Sequence, residues 1–322
     1  MIITVTLNAA IDKTLIVPNF QPGRRHRTVE QGTLPGGKGV NVARTLKRLG
    51  VPVIATGFQG GPTGTRIVEA LTAEQVLSDF VRIREESRTN TALLDPTNGI
   101  QTEINERGPQ VSEAEVELFR DKLLYLASGA AIVVFAGSLP RGVEPTLYGD
   151  LVRELRSTGV TVAVDAEGEV LNHAVRSGPA IISPNRREAE ELVGYEFSGD
   201  ADDELMDALG AVQQLGPREA LITLPDGCAA ALKDGPGTKI QRARIPQREA
   251  VAPIGAGDAF LAGFVAARYQ GRSDADALRY AVACGADSTQ RLGAGVVDAG
   301  EVARLSEMVE VAELQVDDSA AA

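Results

Sequence analysis

A chain of 322 residues, 43% of them hydrophobic, can bury the core of one large α/β domain or two small ones. Its 32 Lys and Arg against 44 Asp and Glu leave a net charge of −12, a field that repels nucleic acid and anionic membranes. The only histidines are His26 and His173, and Cys228 and Cys284 lie far apart among apolar or small residues, which excludes Ser-His-Asp, Cys-His and histidine-rich metal chemistry and reads the thiols as buried and free.

The chain opens on an apolar run, "IITVTL" (2–7), followed at once by Asp12 and Lys13, too early for a signal peptide. No apolar run approaches the roughly 18 residues of a membrane span, so the expectation is a cytoplasmic protein with neither membrane nor nucleic-acid partners. Residues 12–35 are polar and alternating, and their short basic cluster (Arg24, Arg25, His26, Arg27) reads as solvated surface, as does Arg186–Arg187. Helical patterns at 40–49 and 64–77 flank a strand at 53–58, and residues 87–107 alternate again around a turn at Asn98-Gly99. Further strands are expected at 131–137, 160–166, 180–184 and 220–224, with helices at 112–128, 145–158 and 202–215 between them. From about residue 252 the pattern is helical, at 258–270, 274–291 and 300–312. Continuous apolar strands separated by amphipathic helices predict a mainly parallel sheet covered on both faces. The two alternating stretches predict a small second sheet that projects from it as a lid. Residues 1–312 then form a single domain, with 313–322 a disordered tail.

Two glycine motifs carry the chemistry. From Gly32 to Lys38 the sequence fits the start of a phosphate loop, G-x-x-x-x-G-K, but the next residue is Gly39 where Ser or Thr would hold magnesium, and the preceding "RTVEQGTLP" is too polar for a buried strand. The same glycines can simply cap the 40–49 helix. They can also expose backbone N–H groups to a phosphate or sugar hydroxyl, with Lys38 and Asn41 on the same wall. The second motif, "PIGAGDAFLAGF", sets Gly255, Ala256, Gly257 and Asp258 directly before an apolar helix. A dinucleotide fingerprint would need a third glycine where Phe260 stands. A plain helix start and an anion hole at a helix N-terminus both fit. Phosphoryl transfer gives the motifs a joint purpose, because it needs donors around the transferring group, a cation on the phosphates and a base for the acceptor's proton. Asp258 is the candidate base. In "SPNRREAEEL", Asn185 and Glu188 share one face of a helix start and form a candidate magnesium arm, although so short a pattern by itself more often marks the polar side of an exposed helix.

With these residues in view the chain resembles the ribokinase/PfkB sugar kinases, within them the branch of 1-phosphofructokinases and tagatose-6-phosphate kinases. The resemblance runs from residue 1 to about 312 through "TLNAAIDKT", "GGKGVNVARTLKRLG", "GFQGGPTG", "QTEINERGP", "AGSLPRGV", "VDAEGEVL", "SPNRREAEEL" and "GAGDAFLAGF", in that order. It implies a ribokinase-like three-layer α/β fold with lid strands from about 12–35 and 87–107, ATP as co-substrate, Mg2+ as cofactor, a phosphorylated hexose as acceptor and a homodimer through the lid. It also implies that Asp12, Gly36, Gly37, Lys38, Asn41 and Arg88 line the sugar site, and that Gly255, Ala256 and Gly257 form the anion hole beside Asp258. Asn185 and Glu188 would support magnesium through water, and Thr223 and Gly227 would meet ATP. Three positions depart from the pattern: Ala9 where proline is common, Glu103 where many 1-phosphofructokinases have lysine, and Pro225 where the nucleotide loop usually has glycine. A dinucleotide-dependent dehydrogenase and a non-catalytic sugar-phosphate sensor are the rival classes. The missing fingerprint speaks against the first, and the retained Asp258 turn against the second.

Overall fold

The computed structural model describes residues 1–246 and 254–314. In chain order its strands are β1 (Ile2–Thr6), β2 (Ala10–Ile16), β3 (Glu30–Gly36), β4 (Val53–Gly60), β5 (Leu77–Ser78), β6 (Val81–Ile83), β7 (Arg88–Asp95), β8 (Ile100–Asn105), β9 (Ile132–Ala136), β10 (Thr161–Asp165), β11 (Ile181–Ile182), β12 (Glu219–Leu224), β13 (Gly227–Asp234), β14 (Gly237–Arg244) and β15 (Glu310–Glu313). Eleven of them form one sheet in the order β15-β14-β13-β12-β11-β10-β9-β1-β4-β5, with β6 also paired to β4. From β12 across to β5 the pairing is parallel, whereas β12 to β15 are antiparallel. Strands such as "IVVFA" and "IITVT" are buried along their whole length because helices cover both faces.

Those helices sort by face. On one side α1 (Lys38–Arg48), α2 (Gly61–Ala73), α8 (Ala256–Tyr269), α9 (Asp274–Ser288) and α10 (Ala299–Ser306) share a core with Ile2, Val134 and Ala163. On the other, α3 (Glu113–Ala127), α4 (Leu147–Ser157), α5 (Gly168–Arg176), α6 (Arg186–Val193) and α7 (Asp202–Gln214) pack on Ile3, Val133 and Val164. The result is the three-layer α/β architecture expected from the alternation. No helix among the described residues is long and apolar enough to cross a membrane.

The other sheet has four strands in the order β3-β2-β7-β8 and stands apart from the first. It is the projecting lid expected from 12–35 and 87–107. At its β7–β8 turn Asp95 accepts bonds from the backbone N–H of Asn19, Phe20 and Thr97 and from the Asn98 amide, tying the turn to the loop after β2. Those bonds to the ionised form hold the Asp95 carboxyl below its usual range against the opposing effect of burial.

Three expectations change. The helix read at 64–77 ends at Ala73, and that at 300–312 ends at Ser306, after which Glu310–Glu313 joins the sheet edge beside β14. Val309 continues the buried series of Val302 and Leu305, so hydrophobic spacing alone reads as one longer helix. The sheet thus takes in Glu313, and Leu314 N–H bonds Ile240 O at 2.9 Å; residues 315–322 lie outside the described residues. The β13–β14 hairpin was not legible as strands, because "GCAAALKD" is alanine-rich and "GTKIQRAR" is charged.

Close packing of β4 on β1 rests on Gly57. Its φ is +141°, and a Cβ there would lie 1.9 Å from the Thr6 carbonyl oxygen. Since that neighbour is backbone in a central strand, it cannot move aside. Gly57→Ala should therefore destabilise the fold by about 2 kcal/mol or more, read as a lowered midpoint in urea. An unchanged midpoint would show that the β1–β4 register tolerates the methyl group.

Candidate active site

A cavity of about 590 Å³ lies between the lid and the carboxyl ends of the parallel strands. Thr6, Gly137, Asp165, Ser183 and Thr223, at or just past the ends of β1, β9, β10, β11 and β12, form its floor. Open α/β sheets place ligands at this end of the strands. The lid supplies the roof through Asp12, Lys13 and Thr14, Asn90, Thr91, Ala92 and Leu94, and Gln101, Glu103 and Asn105. On β8 the lining keeps the two-residue period of a strand, with one side chain in two facing the cleft.

Of the residues singled out from sequence, Asp12, Gly37, Lys38, Asn41, Arg88, Asn185, Glu188, Thr223, Gly255, Gly257 and Asp258 line this cavity together. Gly36, Ala256 and Gly227 do not. Gly36 ends β3 with its Cα against the Asp12 carboxylate, and Ala256 is the first residue of α8. Gly227 opens β13 with its Cα against the Ala243 carbonyl, so it shapes the β12–β13 turn without reaching the cleft. Gly32 to Gly36 lie inside β3, so the stretch that counts like a phosphate loop is a lid strand.

Asp258 sits in the first turn of α8 and is 5% exposed. Gly255 caps that helix in the left-handed conformation (φ +81°), where its hydrogen avoids the 2.5 Å collision a Cβ would make with Ala294. Asn41, from α1, donates its amide Nδ2 to Asp258 Oδ2 at 2.8 Å, and its own buried Oδ1 has no partner among the described residues. Burial, then the negative charge of Asp165, pushes the Asp258 carboxyl up to about 7, while Lys38 and the Asn41 bond act the other way. A carboxyl poised near neutrality suits a general base.

Lys38 lines the cavity with carboxylates already beside it. Its Nζ bonds Asp165 Oδ1 at 3.1 Å and stands 4.0 Å from Glu188 Oε1. The Asp165 charge raises its pKa above the ordinary lysine value. The ammonium is thus matched by carboxylates of the cleft wall. Asp165 was not singled out from sequence; its place at the end of β10 beside the cleft was the available signal.

Asn185 and Glu188 form a reciprocal cap on α6. Asn185 Oδ1 accepts from Glu188 N–H at 3.0 Å, and Glu188 Oε2 accepts from Asn185 N–H at 2.9 Å. The three-residue spacing therefore has a local cause. Glu188 still turns Oε1 toward Lys38 at the cleft wall, and burial raises its carboxyl above the usual range. Among the described residues no three His, Cys, Asp or Glu side chains are grouped to hold a metal directly.

At the lid end of the cleft, Arg88 Nε donates to Asn8 O at 3.1 Å and Nη1 to Glu106 O at 3.0 Å. It does not pair with Glu85, which holds Arg141 and Gln110 N–H, nor with Glu86, which holds Thr63. Asn90 Nδ2 donates to Asp12 Oδ1 at 2.9 Å across the β2–β7 register, and the buried Asn90 Oδ1 has no partner among the described residues. Burial raises the Asp12 carboxyl. A guanidinium held by neutral carbonyls, beside amides with unmatched oxygens, offers a place for a phosphate and for hydroxyls.

Comparison with known proteins agrees with this geometry. The model of the pfkB family carbohydrate kinases matches residues 5–299. A 1-phosphofructokinase of Borreliella burgdorferi is 34% identical over 285 residues, 88% of this chain and 90% of that protein. A tagatose-6-phosphate kinase of Staphylococcus epidermidis is 30% identical over 318 residues, covering 98% of this chain and 100% of its own. The crystal structure of phosphofructokinase-2 from Escherichia coli in complex with substrates and products superposes with a TM-score of 0.88 at 26% identity, over 95% of this chain and 98% of that one. With a catalytic-type carboxyl at a helix N-terminus, a lidded cleft and matches of this length, the chain belongs to the pfkB family of carbohydrate kinases and is a phosphotransferase acting on an alcohol group.

Proposed function

We propose that this protein phosphorylates a hexose that already carries one phosphate, with fructose 1-phosphate as the acceptor and fructose 1,6-bisphosphate as the product. The observation that carries the reading is the pairing of two ends in one cleft: Asp258 against Asn41 at one end, and at the other Arg88, which among the described residues has no carboxylate within ion-pair distance. The names of the relatives in both comparisons support it. Glu103 and its neighbour Gln101, bonded at 3.0 Å, face the cleft from β8 and favour tagatose 6-phosphate as the second reading, since a carboxylate there resembles the tagatose-6-phosphate kinases. Fructose 6-phosphate stands with it. Measured kcat/KM for these three sugars, with the product identified by NMR, ranks them; a lead of tagatose 6-phosphate would overturn the fructose 1-phosphate assignment.

In this reading Asp258 accepts the proton of the sugar hydroxyl as its oxygen attacks the γ-phosphorus in line. The bond from that phosphorus to the bridging oxygen breaks, and ADP leaves. The Gly255–Gly257 turn at the start of α8, of which Gly255 and Gly257 line the cleft, would supply N–H donors for the oxygens over which charge spreads. The lid keeps water from competing as acceptor. Thr223, bridged to Asn185 at the floor, borders the nucleotide. The base must be ionised to act, so kcat/KM should fall on the acid side with a midpoint near 7; a profile flat from pH 6 to 8 would contradict the assignment.

The donor set fits magnesium held through water: Glu188 Oε1 and Asp165 give the wall hard oxygens, and capping occupies the other Glu188 oxygen. A magnesium ion held there would supply positive charge against the ATP phosphates. Glu188→Gln should then shift activity against magnesium concentration toward higher metal with little change in sugar KM. An unchanged curve would leave the pair as a helix cap only. ATP as co-substrate suits a cytoplasmic location. A homodimer through the lid is supported by Ile100 and Ile104, 57% and 63% exposed on the edge strand β8.

A further inference from the structure

We propose that Arg44 is a positioning residue for phosphoryl transfer, fixing the loop that seats the Gly255 turn and Asp258. The inference rests on the kinase reading and concerns a residue that lies in α1, far in sequence from the turn it serves.

Arg44 is 1% exposed, yet its guanidinium is distributed among three parts of the chain. Nε and Nη2 engage both oxygens of Glu74, just past α2, at 2.9 and 2.8 Å. Nη1 points the other way, to Ala294 O at 2.5 Å, with Pro35 O of the lid strand β3 at 3.5 Å. Only a planar fork with fixed donor directions spans such partners at once. Ala294 belongs to the loop that closes the cleft beside α8. It packs against the Cα of Gly255, close enough that a Cβ on Gly255 would collide with it. The following residue, Gly295, packs in the same way against Asn41, whose amide holds Asp258. Two short contact paths therefore run from the Ala294 carbonyl to the base, one through the helix cap and one through Asn41.

A brace serving stability alone would act mainly through the Glu74 ion pair, and the two roles can be separated. Arg44→Lys keeps the charge but cannot hold Glu74 and Ala294 together. A small displacement of a reacting group costs up to about 10²-fold in rate, so kcat should fall by about 10- to 100-fold while KM for ATP and for fructose 1-phosphate stay within about threefold. Glu74→Gln weakens the ion pair and leaves the Ala294 bond, so it should lower Tm with kcat within about threefold of the parent. Ala294→Val crowds Gly255 directly and should lower kcat at least about tenfold with both KM values little changed; it decides the matter if Arg44→Lys does not fold. Full kcat in Arg44→Lys, or in Ala294→Val where the lysine variant is unfolded, overturns the inference, as does an equal loss of kcat in Glu74→Gln. A parent protein without sugar-dependent ADP release would overturn the kinase reading and this inference with it.

Discussion

Asp258→Asn is expected to lower kcat by about 10²- to 10⁴-fold, the usual loss when a general base is removed, with little change in KM for ATP. The substitution keeps an oxygen that can accept the Asn41 amide, so the 2.8 Å contact and the shape of the turn survive. It should also stabilise the protein. The Asp258 carboxyl binds its proton more tightly folded than unfolded, because burial and the Asp165 charge penalise the ion. Its contribution to stability is therefore full below the unfolded value, near 4, and is lost as pH rises through about 7. A side chain that stays neutral avoids that loss. At pH 8 the variant's Tm should exceed the parent's by about 5 °C, with the gain shrinking toward pH 5. Activity within about threefold of the parent would remove Asp258 from the role of base. A Tm gain independent of pH would remove the buried charge as its cause.

Arg88→Ala should raise KM for the phosphosugar at least tenfold while leaving KM for ATP nearly unchanged. One charge-assisted hydrogen bond is worth about 1.5–3 kcal/mol, and guanidinium can hold two phosphate oxygens together. The prediction gains force from the fate of Lys38. Its ammonium is matched by Asp165 and Glu188, and Arg44 by Glu74, whereas among the described residues Arg88 is held by carbonyls and makes no ion pair with a carboxylate. Because Arg88 also braces Asn8 and Glu106, Arg88→Lys is the control: it keeps charge but loses the fork, and should fall between parent and Arg88→Ala in KM. An effect confined to ATP, or none on either substrate, would contradict a phosphate at this end of the cleft.

Much of this was legible in sequence where physical cause is local. Runs such as "IVVFA" announce strands buried on both faces, and the alternation at 88–95 and 100–105 announces a sheet with one side facing a cleft. The Gly-Ala-Gly-Asp turn marks a helix start with an acidic side chain in its first turn, and the fold places it at the cleft. What stayed hidden depends on contacts across the chain. Nothing near Lys38 shows that Asp165, 127 residues on, will match its charge. Nothing near Arg44 shows that it will hold the carbonyl of Ala294, 250 residues away. The Asn185–Glu188 spacing was legible but ambiguous, because a capping box and a metal arm use the same residue types three apart. The β13–β14 hairpin was obscured by alanines, which favour helix when isolated and fill a strand well when covered by α7 and α9.

The central claim is that the acceptor is a phosphorylated hexose. The most direct test is ADP release by the full chain with ATP and magnesium across fructose 1-phosphate, fructose 6-phosphate, tagatose 6-phosphate, free fructose and free tagatose. The account predicts sugar-dependent turnover with fructose 1-phosphate in the lead and kcat/KM for free fructose at least about tenfold lower, the discrimination one charged contact provides. Free fructose used as efficiently as fructose 1-phosphate would contradict it and leave a kinase of unphosphorylated sugars.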